Sequence, residues 1–260
     1  MTQRERLEWL NEYLLTEAPQ HRAWAAAFGA DEPSRFRLFR SLVNLRPPRA
    51  ASGAFLQLQD EYLRQATAQK GVVDIDDLRP VREGIYLWRG DITALQCDAI
   101  VNAANSALLG CFCPCHGCVD NVIHTYAGVQ LRLACAQMMQ GREEPVGRAR
   151  ITPAYNLPCH YVLHTVGPYV AGAPTRADCA RLASCYRECL ALARRQGAKS
   201  VAFCCISTGE YHFPGDEAAR IALQAVTDDQ NEHGCEMKVV FNVFKEADER
   251  IYQGLLRTDR

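Results

Sequence analysis

Asp98-Ala99-Ile100-Val101-Asn102-Ala103-Ala104-Asn105-Ser106, followed by Leu108-Leu109-Gly110-Cys111-Phe112-Cys113-Pro114-Cys115-His116-Gly117-Cys118-Val119-Asp120, decides the reading of this chain. A short apolar run that stops at polar residues reads as a buried strand. Two asparagines and a dense thiol-imidazole cluster then share one connection. From Asp120 to Gln140 the spacing of Val122, Ile123, Tyr126, Leu131, Leu133 and Cys135 predicts a helix. Outward from this unit the same alternation continues. Strands are predicted at 85–89, 99–102, 150–154, 161–165, 200–206 and 238–244, with further helices at 177–196, 216–233 and 247–256. That texture defines a layered α/β domain, of which the span 81–260 is the expected extent.

Residues 1–80 read differently. Helices are predicted at 4–15, where Leu7, Leu10 and Leu14 share a face, at 36–45, where Phe36, Phe39, Leu42 and Val43 do, and at 54–69. Pro47-Pro48 ends the second, since proline lacks the backbone donor a helix needs. The acidic run 73–78 reads as a connector. The expectation is a helical N-terminal extension, more scaffold than catalyst, on a three-layer α/β/α domain.

Composition narrows the function classes. Hydrophobic residues at 48% and charged residues at 23% exclude a disordered or fibrous chain. Twenty-nine Lys and Arg against 30 Asp and Glu leave a net charge of -1, which gives no field to attract nucleic acid. There is no uncharged apolar run of membrane-spanning length, and Arg4, Glu5, Arg6 and Glu8 sit where a signal peptide would be apolar. The expectation is a cytoplasmic protein without membrane or nucleic-acid partners. None of the 13 cysteines falls in the first 96 residues, while Cys111, Cys113, Cys115 and Cys118 crowd together. They are read as reduced thiols, some of them metal ligands.

Ligands in open α/β sheets sit beyond the carboxyl ends of strands. Three loops there stand out. Gly90-Asp91-Ile92-Thr93 combines a turn glycine with a carboxylate that could equally be a helix cap. The Asn102 to Asp120 connection carries the cysteine cluster. Ser207-Thr208-Gly209-Glu210-Tyr211-His212-Phe213-Pro214-Gly215 has the small residues that wrap a phosphate and an aromatic to cover a ring. Together the three describe a cleft for a phosphate-bearing nucleotide with a metal at one end.

These motifs resemble the macrodomain family, which recognises ADP-ribose. Gly90-Asp91-Ile92-Thr93, Val101-Asn102-Ala103-Ala104-Asn105, His164-Thr165-Val166-Gly167-Pro168 and Ile206-Ser207-Thr208-Gly209 match in the family's order across about residues 84 to 256. More narrowly, Cys111, His116 and Cys118 form the Cys-x4-His-x-Cys signature of the zinc-containing macrodomain protein-ADP-ribose hydrolases, where MacroD-type relatives carry glycines. The first eighty residues also resemble that subgroup's extension. The resemblance implies a mixed central sheet between helical layers, Zn2+ as cofactor, and Cys111, His116 and Cys118 as its ligands. It implies that Asp91 holds the adenine amino group with Ile92 beside it, and that Asn105 contacts the distal ribose. Val119 and Asp120 would lie along the diphosphate and ribose. Ser207, Thr208, Gly209 and Glu210 would surround the phosphates, and Tyr211 would close over the sugar.

The implied activity is zinc-dependent removal of ADP-ribose from mono-ADP-ribosylated protein side chains, with Asn105 orienting the ribose. Asp120 would either hold a ribose hydroxyl or accept a proton. The subgroup is often encoded beside a sirtuin-type transferase and a lipoyl-carrier protein, which makes that carrier a plausible substrate. Two other functions compete: a reader that binds ADP-ribose without cleaving it, and an O-acetyl-ADP-ribose deacetylase. The metal could also be a closed knot completed by Cys113 or Cys115. His124 is expected on a helix surface rather than beside the metal site, and His164 as a satisfied core histidine.

Overall fold

The computed structural model describes residues 1–258. Among them the chain begins with α1 (Gln3–Glu17), α2 (Arg22–Ala25), α3 (Glu32–Leu45) and α4 (Gly53–Lys70). Thr2 and Glu5 form a reciprocal cap on α1, and Asp31 and Ser52 cap α3 and α4. Leu7, Leu10, Phe39, Phe55 and Leu63 are fully buried in a cluster among these helices. The short α2 was not anticipated; the other three helices match the expected ones to within a turn, α3 starting earlier, at its Asp31 cap.

Next come β1 (Val73–Asp74), β2 (Pro80–Arg82), β3 (Ile85–Arg89) and β4 (Leu95–Ala103), then α5 (Val119–Ala127) and α6 (Val129–Met139). The chain continues through β5 (Ala149–Pro153), β6 (Cys159–Thr165), α7 (Arg176–Arg195), β7 (Ser200–Phe203), α8 (Gly215–His233), β8 (Lys238–Val243) and α9 (Glu246–Thr258). The strands form one mixed sheet in the order β2-β3-β8-β7-β4-β6-β5, with β1 adding to the start of β4. Only the β2–β3 and β5–β6 pairs are antiparallel. The expected connector at 73–78 therefore includes a two-residue strand, and Ile75 buries its side chain as a tether.

Helices α7, α8 and α9 pack together and against the sheet, while α5 and α6 contact it with the N-terminal helices beyond them. Because β3, β4, β6, β7 and β8 run parallel, their carboxyl ends open on one edge. All three loops singled out above lie there.

One expected helix is two. Gly128 breaks the predicted 120–140 span, holding φ +95, a backbone conformation that side chains disfavour. Gln59 on α4 explains the break, because its Oε1 accepts the Val129 backbone N–H at 2.9 Å and so caps the new helix. A Cβ on Gly128 would stand 2.6 Å from Gln59 Nε2.

Candidate functional site

Asp91 begins the first loop, where β3 ends. Its Oδ1 accepts from the Thr93 backbone N–H at 2.9 Å and from Thr93 Oγ1 at 2.6 Å. It is thus the cap that local sequence allows. Lys70, the last residue of α4, forms an ion pair with Asp91 Oδ2. Burial would raise the Asp91 pKa, but Lys70 and Thr93 together bring it below the ordinary aspartate value. Ile92 is buried next to it.

The second loop is held at its base by a buried polar network. Asn102, at the end of β4, donates to Asp120 Oδ1 at 2.8 Å and faces His164 Nδ1 at 3.2 Å. Asn105 donates to the Gly110 carbonyl at 3.1 Å and approaches Asp120 Oδ2 at 3.5 Å. Burial pushes the Asp120 carboxyl up to about 6, against the lowering effect of Asn102 and of Arg132. Val119 is half-buried beside Asp120 at the start of α5.

Cys111, His116 and Cys118 come together with their ligand atoms within 4.8 Å of one another. Cys118 also caps α5, its sulfur 3.4 Å from the Asn121 backbone N–H. Burial, reinforced by the neighbouring Cys111, pushes the Cys118 thiol up to about 12. His116 Nδ1 is buried without a hydrogen-bond partner, while Nε2 stands 3.6 Å from Glu210 Oε1. Two thiols and an orphaned imidazole nitrogen are the donor set zinc prefers, and a divalent cation would stabilise the Cys118 thiolate that burial disfavours. The residues fit the metal. Cys113 is exposed, and Cys115 turns to α3, its sulfur 3.3 Å from Ser41 Oγ and 3.4 Å from the Arg37 carbonyl. Neither joins the three-residue cluster.

The third loop follows β7. Ser207 adopts φ +66 with its Oγ buried and unpartnered against Gly167, where a Cβ would be only 2.0 Å from that oxygen. The Phe213 N–H donates to the Ser207 carbonyl at 3.0 Å, and the Val170 N–H to that of Tyr211 at 2.9 Å. Thr208 is half-buried, whereas Gly209 and Glu210 are exposed. Tyr211 meets Tyr169 edge-on at 6.0 Å.

His164 is fully buried with Thr152 Oγ1 at 2.9 Å from its Nε2, as expected of a core histidine, and burial lowers its pKa to about 3. His124 is a correction. It is buried, not on a helix surface, because α5 packs on β4 with one face and on α3 and α4 with the other. Its Nε2 lies 3.5 Å from Asp120 Oδ1, and burial first, then His164 and Arg132, hold it well below the usual histidine range.

Sequence reading missed Arg40, Lys70 and Arg132. Arg40 on α3 donates to the His116 carbonyl at 2.6 Å and to Asn121 Oδ1 at 2.9 and 2.7 Å. Arg132 on α6 donates to the carbonyls of Leu109, Val43 and Asn44 at 2.6, 2.9 and 2.8 Å. No local pattern marks them, for each acts on residues distant in the chain.

The aspartate cap, the asparagine-bearing strand end and the glycine-serine turn, gathered at the carboxyl edge of the parallel strands, define the class. The chain belongs to the macrodomain family, whose Macro domain model matches residues 101–222. It is 53% identical over 262 residues to a protein-ADP-ribose hydrolase of Treponema medium, covering 98% of this chain and 100% of that protein. A protein-ADP-ribose hydrolase of Staphylococcus aureus (strain MRSA252) is 47% identical over 235 residues, covering 87% and 88% of the two chains. Among solved structures, a Trypanosoma brucei macrodomain in complex with ADP-ribose superposes with a TM-score of 0.66 at 35% identity, covering 84% of this chain and 94% of that one. An Oceanobacillus iheyensis macrodomain with ADP gives 0.62 at 37%, with 70% and 94% covered.

Proposed function

We propose that this chain is a zinc-dependent hydrolase that removes ADP-ribose from mono-ADP-ribosylated protein side chains. The observation that carries the reading is the Cys111, His116 and Cys118 cluster, two residues from Asp120 at the mouth of the cleft. Pure recognition of ADP-ribose needs only the nucleotide pocket. Relatives named protein-ADP-ribose hydrolases over nearly the whole chain support the same conclusion.

Asp91 accepts a hydrogen bond from the adenine amino group, with Ile92 against the base. Val119 and Asp120 line the diphosphate and ribose. Backbone amides of Ser207, Thr208, Gly209 and Glu210 surround the phosphates, and Tyr211 covers the sugar. Asn105 orients the distal ribose. Asp120, with its pKa near neutrality, accepts either a ribose hydroxyl or the proton released on hydrolysis. Cys111, His116 and Cys118 would hold zinc, which when bound would supply Lewis acidity. The 13 free thiols suit a reducing cytoplasmic setting.

The test offers wild-type protein a panel: mono-ADP-ribosylated proteins with different modified side chains, a lipoyl-carrier protein among them, beside O-acetyl-ADP-ribose. Release of ADP-ribose from protein is the expected result. Binding of free ADP-ribose with no cleavage would make the chain a reader, and turnover of the acetyl ester alone would make it a deacetylase.

A further inference from the structure

Lys70 belongs to the N-terminal helices, yet its ammonium reaches the loop after β3, beside the carboxylate proposed to meet adenine. It pairs with Asp91 Oδ2, donates to Thr93 Oγ1 at 3.1 Å and sits 3.8 Å above the Tyr126 ring. These three contacts come from one loop and one helix, and they fix a side chain that is otherwise long and mobile. Gly71 ends α4 immediately after it, with φ +95. Lysine at a helix carboxyl end is common enough on electrostatic grounds. A lysine that also spans to a half-buried carboxylate is a more specific arrangement.

An ionised carboxylate has about four acceptor positions. Two, on Oδ1, are taken by Thr93 N–H and Oγ1, and one, on Oδ2, is taken by Lys70. What is left is a single position on Oδ2. We infer that Lys70 is a positioning residue for base recognition, locking Asp91 so that its one vacant acceptor meets the exocyclic amino group of adenine. The inference rests on the proposed ADP-ribose site. It makes the helical extension part of the binding machinery, because the nucleoside pocket of the 81–260 span is incomplete without a group from α4. Without Lys70 the carboxylate is freer to turn, and the burial that Lys70 now offsets acts against its ionised form.

The experiment is a double-mutant cycle in the full-length, zinc-loaded protein: Lys70→Met, Asp91→Ala and both together, titrated with ADP-ribose by calorimetry. Lys70→Met is expected to weaken binding about tenfold, the scale of one charge-assisted hydrogen bond. Lys70→Arg should recover most of that loss. In the Asp91→Ala background Lys70→Met should cost nothing further, and in a release assay it should raise KM while leaving kcat unchanged. A Lys70→Met protein that binds as wild type does, or that loses as much in the Asp91→Ala background, overturns the inference. Failure of wild type to bind ADP-ribose would instead overturn the functional reading, and the inference with it.

Discussion

Asp120, at the start of α5, is enclosed by Asn102, Asn105 and His124, and its burial disfavours the ionised form. The Asn102 amide and Arg132 oppose that burial, leaving the carboxyl raised to about 6. Asp91 is tuned the other way, kept ionised as an acceptor by Lys70 and Thr93. On the proposed reading the first carboxylate would serve the reaction and the second recognition. Asp91→Ala is expected to weaken ADP-ribose binding by about 1.5–3 kcal/mol, the cost of a hydrogen bond to a charged group, while the protein keeps its zinc. Calorimetry with a parallel metal assay checks it. An unchanged dissociation constant would reduce Asp91 to a helix cap.

Among the elements, the break between α5 and α6 and the bracing of the cysteine loop are both the work of the N-terminal helices. Gly128→Ala should destabilise the protein by roughly 1–2 kcal/mol, since the residue must hold a left-handed backbone and its Cβ would crowd Gln59. Urea unfolding would detect that loss, and a neutral result would mean that Gln59 gives way. Arg40→Ala should release the His116 carbonyl and Asn121, and zinc affinity should fall about tenfold, as is usual when a group supporting a metal ligand is removed. Competition with a chromogenic chelator reads it; unchanged affinity would show that the loop holds its own shape.

These two cases also mark how far sequence carries. Strand positions, the three loops and the Cys111, His116 and Cys118 spacing are local patterns, and the chain itself displays them. Gln59 capping α6 or Arg40 gripping residue 116 is a contact across 70 and 76 residues respectively, which no periodicity encodes. His124 shows the same limit. Helical spacing identifies one apolar face, whereas α5 is covered on two, and only packing reveals that its polar side is buried as well.

At the scale of the molecule, the parallel strands gather the three loops on one edge, and the helical extension grips both ends of that edge, through Lys70 at Asp91 and through Arg40 at the cysteine loop. In this arrangement nucleotide contacts and the proposed metal site are separate groups of residues. On the proposed reading, adenine and phosphate recognition would depend on Asp91 and on residues 207–211, and cleavage on Cys111, His116, Cys118 and Asp120. The two activities should therefore part when zinc is removed. The most direct measurement follows both on one preparation, stripped by chelator and then reconstituted with zinc: calorimetric binding of free ADP-ribose, and release of ADP-ribose from a mono-ADP-ribosylated protein. The account predicts that the folded, zinc-free protein still binds ADP-ribose within a few-fold of the loaded form, that its turnover is abolished, and that zinc restores it. Zinc-free, folded protein that releases ADP-ribose at the wild-type rate would contradict the account and leave catalysis to Asp120 and Asn105.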